Sequence, residues 1–202
     1  MDHFFCLAGS CSIVDMRVVS LEGNIGCGKS SALAALARNY ATRPEPVTQW
    51  SPWLAKFYAK TPGGALGLQL QVLASFHDVM KAPPIPLVVV ERSPQTGKDI
   101  FTALMAEKGV LDKHELALYH TMYDKLAWTP TERVYLRCTP ELALKRVQVR
   151  HRDHEDAVGL AYLTELHRKH EELYANSACV IDASQSPDAV AAELQAYLEQ
   201  QQ

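Results

Sequence analysis

The 202-residue sequence predicts an α/β fold, a doubly wound five-stranded parallel sheet with helices on both faces. Three observations predict it. Short β-branched runs alternate with longer helical segments across short connections, and no internal repeat interrupts the alternation. One run, PLVVVE over residues 86–91, is apolar at successive positions, as a strand covered on both faces requires. Residues 18–31, VVSLEGNIGCGKSS, pass from an apolar run through Gly23, four residues, Gly28, Lys29 and Ser30 into an alanine-rich helix. That is the strand, glycine-rich loop and helix order of a P-loop.

The first strand is predicted over 16–22 and the first helix over 29–40. In ATRPEPVTQW (41–50), Pro44 and Pro46 flank Glu45, which predicts an extended backbone aiming that carboxylate from a strand end. A short helix over 53–60 stops at Thr61-Pro62-Gly63-Gly64, and 65–81 is apolar enough for a mostly buried helix that nevertheless carries Gln69, Gln71 and Asp78. Pro83, Pro84 and Pro86 feed the strand ending in Glu91-Arg92-Ser93. Helices are predicted over 96–107 and 112–127, the second capped by Asp112. The fourth strand is 133–138, and Thr139-Pro140-Glu141 opens a helix running to about Arg150. After HRDHED (151–156) come a helix over 159–174, a strand over 178–182 and a helix over 187–200. Ligands of such sheets sit at the carboxyl ends of the strands, where Gly23, Glu45 and Glu91 all fall.

Composition bounds the function. The length suits one domain, taken as 16–202, with 1–15 as a loosely ordered N-terminal extension; Met16 could be an alternative start. FFCLA near the N-terminus imitates a signal peptide, but Asp2 is present and a basic n-region is absent. A net charge of −3 provides no field to attract a nucleic-acid polymer, and no stretch reaches the apolar length of a membrane span. Five cysteines (Cys6, Cys11, Cys27, Cys138, Cys179) form no CxxC pair, which fits free thiols in a reducing, cytoplasmic compartment.

The loop spacing has a chemical reason. Gly23, Gly26 and Gly28, with Asn24, Ile25 and Cys27 between them, let backbone N–H groups turn inward around a polyphosphate. Lys29 reaches the β and γ phosphates, and the Ser30 hydroxyl, with Ser31 beside it, opens the helix as a Mg²⁺ ligand. The expected phosphoryl donor is ATP with Mg²⁺. No NKxD guanine-reading motif is present, and no apolar strand ends in DE as a hydrolytic ATPase would require. Glu45 is placed to take a proton from an attacking hydroxyl, Glu91 to stand near the metal, and Arg92 near the moving phosphoryl group. Arg146, Arg150 and Arg152 recur at spacings of four and two, so they can line a lid over the phosphates, stabilising charge and excluding water.

At these residues the chain resembles the deoxynucleoside kinase family, cellular and viral. EGNIGCGKS (22–30), PEPV with Trp50 following, Leu68-Gln69, ERS (91–93) and RVQVRHRDHED followed by YLTELHRKHEELY occur in the family's order over about 16–182. The resemblance implies phosphorylation of the 5′-hydroxyl of a deoxynucleoside for nucleotide salvage, in a homodimer, with Glu45 as general base and Arg92 holding base and hydroxyl together. It implies that Tyr58, eleven residues before Gln69, binds the sugar 3′-hydroxyl with Glu155, that Gln69 pairs with the base edge, that Phe101 stacks on it and that Trp50 lines the pocket. It makes Arg146 a candidate to stack on the adenine. Where family members preferring deoxycytidine or purines carry Arg and Asp, this chain has Phe76 and Gly97, an apolar pair suited to thymidine and its 5-methyl group. His154 stands in the lid where an acid is common.

Plainer readings stand beside these. Glu45 could be a solvated loop acid, Gln69 a surface amide, Tyr58 and Phe101 core aromatics, and the three arginines a solvated helix face. His151 with His154, and His167 with His170, make two HxxH pairs, but without suitably spaced cysteines they argue little for zinc. Cys27 could be a small tolerated residue or a thiol acidified by helix N–H groups. The stripe Tyr162, Leu163, Leu166, Leu173, Tyr174 reads as core by default and as a dimer interface by resemblance. A nucleoside monophosphate kinase and a non-catalytic nucleotide-binding module are the competing functions.

Overall fold

The computed structural model describes residues 16–81, 85–152, 155 and 158–200. The expectations for the extension 1–15, Cys6, Cys11, Pro83, Pro84 and His154 lie outside the described residues. Five strands, β1 (Arg17–Glu22), β2 (Ala41–Arg43), β3 (Leu87–Glu91), β4 (Glu132–Arg137) and β5 (Cys179–Asp182), form one sheet in the order β2-β3-β1-β4-β5. Every pairing is parallel. Between them lie α1 (Lys29–Leu36), α2 (Val47–Tyr58), α3 (Gly64–Met80), α4 (Pro94–Thr96), α5 (Ala103–Glu107), α6 (Lys113–Leu126), α7 (Pro140–Arg150), α8 (Leu160–Tyr174) and α9 (Pro187–Gln200), with a π-helical segment, Gly97–Thr102, joining α4 to α5. No helix among the described residues is long and apolar enough to cross a membrane.

The hydrophobic pattern explains the layering. Val19, Leu21, Val89, Val134 and Leu136 are buried in the sheet, and Leu33, Leu36, Val147, Leu163, Leu194 and Leu198 close the main core over it. A second core of Trp50, Ala65, Leu68, Met105 and Leu111 joins α2, α3 and α5, and becomes the apolar wall described below. Asp112 caps α6 as expected, accepting from the N–H groups of His114 and Glu115 in a capping box.

Three boundaries depart from expectation. Helix α1 ends at Leu36 instead of 40, because the N–H groups of Asn39 and Tyr40 turn back onto the Leu36 carbonyl and redirect the chain into β2. Helix α2 begins at Val47, six residues earlier than expected; Pro52 lies inside it at the loss of one backbone bond, while Trp50 is buried in return. The single helix expected over 96–107 starts at Pro94 and widens into the π segment, where the Ala103 N–H reaches the Lys98 carbonyl five residues back.

The stripe on α8 faces inward. Leu163, Leu166 and Tyr174 are fully buried within this chain, which corrects the interface reading of these residues. His170 on the same helix is fully buried, with Nδ1 2.7 Å from the Leu166 carbonyl oxygen and with Nε2 unpartnered among the described residues. Its ring stacks on Tyr135 and meets Phe101 edge-on. Burial, with Arg92 and Lys29 nearby, pushes its pKa down to about 3. A folded-state value below the ordinary 6.5 means that the unfolded chain takes up the proton first, so stability falls as pH drops below about 6.5. Between pH 7 and 5 the wild type is expected to lose about 2 kcal/mol of unfolding free energy that His170→Gln does not lose, measured by urea denaturation at the two pH values.

Candidate active site

The phosphate loop is shaped by close approach. A Cβ on Gly26 (φ +81°) would lie 2.4 Å from the Ala143 carbonyl oxygen, and one on Gly23 (φ +141°) 2.6 Å from that of Leu136. Only glycine lets the loop rest on α7 and the end of β4 in this conformation. Lys29 is buried and its Nζ donates to the carbonyls of Gly23 (3.0 Å) and Asn24 (2.8 Å), holding a cation at the centre of the loop. The Asn24 side chain closes the back of the loop, donating to the Leu163 carbonyl and accepting from the Ile25 N–H. Cys27 is fully buried, its Sγ 3.7 Å from Lys29 Nζ. Ser30 and Ser31 stand exposed at the head of α1, and Ser30 Oγ donates to Glu91 Oε1 at 2.8 Å.

Opposite the loop, β2 and β3 deliver Glu45, Glu91 and Arg92. Arg92 Nη1 donates to both Glu45 oxygens, at 2.6 and 2.7 Å, and Nη2 donates to the Gly23 carbonyl at 3.3 Å. The Glu45 N–H points to Glu91 Oε2 at 3.5 Å. Arg92 has φ +62°, a left-handed backbone that a bulky residue adopts only where the surroundings impose it. Burial raises the Glu45 pKa above the ordinary carboxylate value, and Glu91 adds to the rise, while Arg92 and Lys29 oppose it. Glu45 is therefore no solvated loop acid.

Loop and carboxylates open onto a cavity of about 260 Å³. Ile25, Gly26, Gly28, Lys29, Ser30, Ser31, Glu45, Glu91 and Arg92 line one part; Trp50, Tyr58, Gln69, Phe76, Gly97 and Phe101 line another; Arg150, Arg152 and Glu155 lie at its edge. Trp50 Nε1 donates to Ser75 Oγ, which fixes the indole with its edge toward Phe76. Phe101 lies beneath the Arg92 guanidinium, 5.2 Å from ring centre to Cζ. Tyr58 is near enough to Glu155 that the carboxylate, after burial, raises its pKa. Arg150 Nε donates to Glu155 Oε2 at 2.6 Å, and Arg152 Nη1 is 3.9 Å from Glu155 Oε1.

Arg146 does not line the cavity. Its Nη1 donates to the carbonyls of Cys27 (3.3 Å) and Ala183 (2.8 Å), binding the outside of the phosphate loop to the turn after β5. Gly23, Asn24 and Cys27 likewise form the loop's backing and do not line the cavity. Sequence reasoning missed Met105, Val72 and Tyr162, which line the cavity; Tyr162 had been grouped with the buried stripe. It also missed Glu22, fully buried at the end of β1. Glu22 accepts from Ser93 Oγ (2.7 Å) and Thr96 Oγ1 (2.5 Å), and Thr96 in turn meets the Tyr174 hydroxyl at 2.6 Å. A buried carboxylate satisfied by two hydroxyls clamps β1 to the chain just beyond Arg92. Its signal was a charged residue at the end of a largely apolar strand.

A P-loop that only switches or drives motion has no use for a deep, largely apolar chamber between its lysine and a buried carboxylate–arginine pair. An enzyme that carries a small acceptor to the transferred phosphoryl group does, and the chain is a P-loop kinase. The family model described as deoxynucleoside kinase matches residues 19–197. The chain is 34% identical over 177 residues to kinase protein 029R of Invertebrate iridescent virus 3, covering 86% of this chain and 91% of that protein. It is 32% identical over 188 residues to the thymidine kinase of Ictalurid herpesvirus 1 (86% and 82%), and 27% identical over 209 residues to the deoxycytidine kinase of Rattus norvegicus (83% and 79%). The fold matches a solved deoxyadenosine kinase from M. mycoides with TM-score 0.81 at 21% identity, over 91% of this chain and 100% of that one. The chain belongs to the deoxynucleoside kinase family, and the phosphorylation of a deoxynucleoside is its activity.

The glycine geometry carries a test. Gly26→Ala forces a Cβ against the Ala143 carbonyl at a positive φ, and is expected to cost about 1–3 kcal/mol of stability and to weaken nucleoside triphosphate binding at least tenfold. Chemical denaturation and calorimetric titration read the two effects.

Proposed function

We propose that this kinase transfers the terminal phosphoryl group of ATP to the 5′-hydroxyl of a pyrimidine deoxynucleoside, thymidine foremost, and so supplies a deoxynucleoside monophosphate for nucleotide salvage. The reading rests chiefly on one observation: the buried Glu45 carboxylate, gripped by Arg92, shares a cavity with Lys29 and Ser30. A sugar hydroxyl between them would give its proton to Glu45 as its oxygen attacks phosphorus. The raised pKa makes Glu45 a better base than an ordinary carboxylate, and Arg92 keeps it turned toward the hydroxyl. Arg92 Nε is buried without a partner among the described residues, leaving a donor for an acceptor oxygen in the cavity.

The residues present fit Mg²⁺ and a triphosphate. Ser30 hydroxyl and Glu91 carboxylate, already paired at 2.8 Å, are hard oxygen donors of the kind Mg²⁺ takes and would hold the ion here. The ion would supply charge neutralisation at the β and γ oxygens. Lys29 holds its charge where those phosphates would lie, and its two loop carbonyls are exchangeable partners. Arg150 and Arg152 stand at the cavity edge, where they can neutralise the moving group and exclude water. The pyrimidine reading draws on Phe76 and Gly97. A Cβ on Gly97 would lie 3.5 Å from the Tyr119 hydroxyl and 4.0 Å from Phe76 Cε2, so neither residue puts a charge there to read an exocyclic amine.

Two measurements test this. With labelled ATP and the four deoxynucleosides and their monophosphates, thymidine is expected to be the best acceptor and deoxycytidine the next; phosphorylation of the monophosphates alone would overturn the reading. Glu45→Gln is expected to lower kcat by about 10²–10⁴ while ATP affinity stays within twofold. The wild-type kcat should decline on the acid side with an inflection above the ordinary carboxylate pKa, since the base must be ionised and its pKa is raised.

A further inference from the structure

Gln69 is 4% exposed, lines the cavity and has its amide held at both ends. Oε1 accepts from Thr102 Oγ1 at 3.1 Å, and Nε2 points to Met105 Sδ at 3.6 Å. The chemistry of the partners agrees with this orientation. A thioether sulfur can only accept, so the amide nitrogen belongs beside Met105, and the oxygen faces the hydroxyl that donates to it. Thr102 is itself fully buried, at the end of the π segment that also carries Gly97 and Phe101 into the cavity. The wider turn thus brings the stacking ring and the amide's anchor onto one rigid element.

A fixed amide is a directional reader. An oxo pyrimidine offers a ring N–H beside a carbonyl, whereas an amino pyrimidine offers a ring nitrogen acceptor beside an N–H₂. Along the base edge the donor and acceptor come in opposite order, so one orientation of the Gln69 amide complements one class and leaves the other with donor facing donor. We infer that Thr102 is a positioning residue for base recognition: its hydroxyl fixes the direction of the Gln69 amide and thereby sets the preference between oxo-bearing and amino-bearing bases. The inference rests on the deoxynucleoside reading above and deepens it. Thr102 does not line the cavity; its hydroxyl lies between the Gln69 amide and the Tyr119 side chain, and it bears on the base through Gln69.

The test is the ratio of kcat/KM for thymidine to that for deoxycytidine, in the wild type, Thr102→Ser, Thr102→Val and Thr102→Cys. The wild type is expected to favour one nucleoside at least threefold, and Thr102→Ser, which keeps the hydroxyl, to preserve that ratio within twofold. Thr102→Val keeps the shape without the donor and should move the ratio toward one by about threefold to tenfold, through the nucleoside KM, with the KM for ATP unchanged. Should the valine variant fail to fold, Thr102→Cys keeps the volume with a much weaker donor and carries the same expectation. A merely structural role would lower both activities together. An unchanged ratio in the folded valine or cysteine variant, an equal shift in the serine variant, or a wild type indifferent to the two nucleosides would overturn the inference. Absence of wild-type turnover with every deoxynucleoside is a different result, which would overturn the underlying reading and the inference with it.

Discussion

Everything at the catalytic end of this molecule depends on the ion pair between Glu45 and Arg92. It connects three loops: Glu45 follows β2, Arg92 follows β3, and the second nitrogen of the guanidinium reaches the carbonyl of Gly23 after β1. The Arg92 N–H still donates to the Leu21 carbonyl, so the residue leaves the strand ladder and turns left-handed in a single step. A pair this buried gains little net stability from its own attraction, because desolvation offsets it. Removing one member is another matter, at about 3–5 kcal/mol, since the other is left buried and uncompensated. The pair is better understood as a device that holds an ionisable carboxylate in one place, and the Glu22 cluster with Ser93 and Thr96 secures the backbone on which it turns.

That arrangement is possible only with this strand order. In a sheet running β2-β3-β1, with all pairings parallel, the carboxyl ends of the three strands that bear the base, the arginine and the phosphate loop lie side by side. Register does the rest. Leu21 stands beside Glu91 and Arg43 beside Val90, so Glu22, Glu91 and the chain two residues past Arg43 end at nearly the same level. Crossovers on both faces then cover the sheet and leave an opening only where the chain reverses direction. The distance from Lys29 to Glu45 is thus set by strand spacing, which is among the least variable lengths in proteins.

Much of this was legible in the sequence, because the features concerned are local. The glycines and lysine of residues 23–29, the prolines around Glu45, and the β-branched run before Glu91-Arg92 each dictate a conformation within a few residues, and the strands expected over 16–22, 86–91, 133–138 and 178–182 fall within a residue of those bounds. What escaped was relational. Arg146 has the spacing of a lid residue, but two carbonyls 37 and 119 residues away in sequence claim it. Tyr162 shares an apolar stripe with Leu163 and Leu166, and nothing local distinguishes the one that turns to the cavity from those that enter the core. Helix α2 starts at Val47, ahead of the expected 53, because the one N–H that Pro52 lacks is tolerated where Trp50 gains burial. The π turn had no sequence signature at all; its residues lie against α3 and α8, far away in sequence.

The two ends of the cavity are held by interactions of different strength. Around Gln69 the hydrogen bonds are buried: Thr102 to the amide, Trp50 to Ser75, each between side chains that water does not reach. Breaking any of them leaves a polar group unsatisfied in an apolar wall, at about 1–3 kcal/mol, so this end keeps its shape through turnover. At the other end Glu155 holds Arg150 and Arg152 through ion pairs whose arginine side chains are 31% and 40% exposed. Pairs with that much solvent access are worth at most about 1 kcal/mol, and their partners can be exchanged at little cost. An arriving phosphate, carrying more charge than one carboxylate, competes well for both guanidinium groups. Such an exchange would free Glu155 toward Tyr58 as the arginines turn to the phosphates, so that closing over the donor and completing the sugar site become one movement. On the proposed function, a firmly held Gln69 end and loosely tied arginines in a single chamber would let base discrimination and closure over the donor be separate properties.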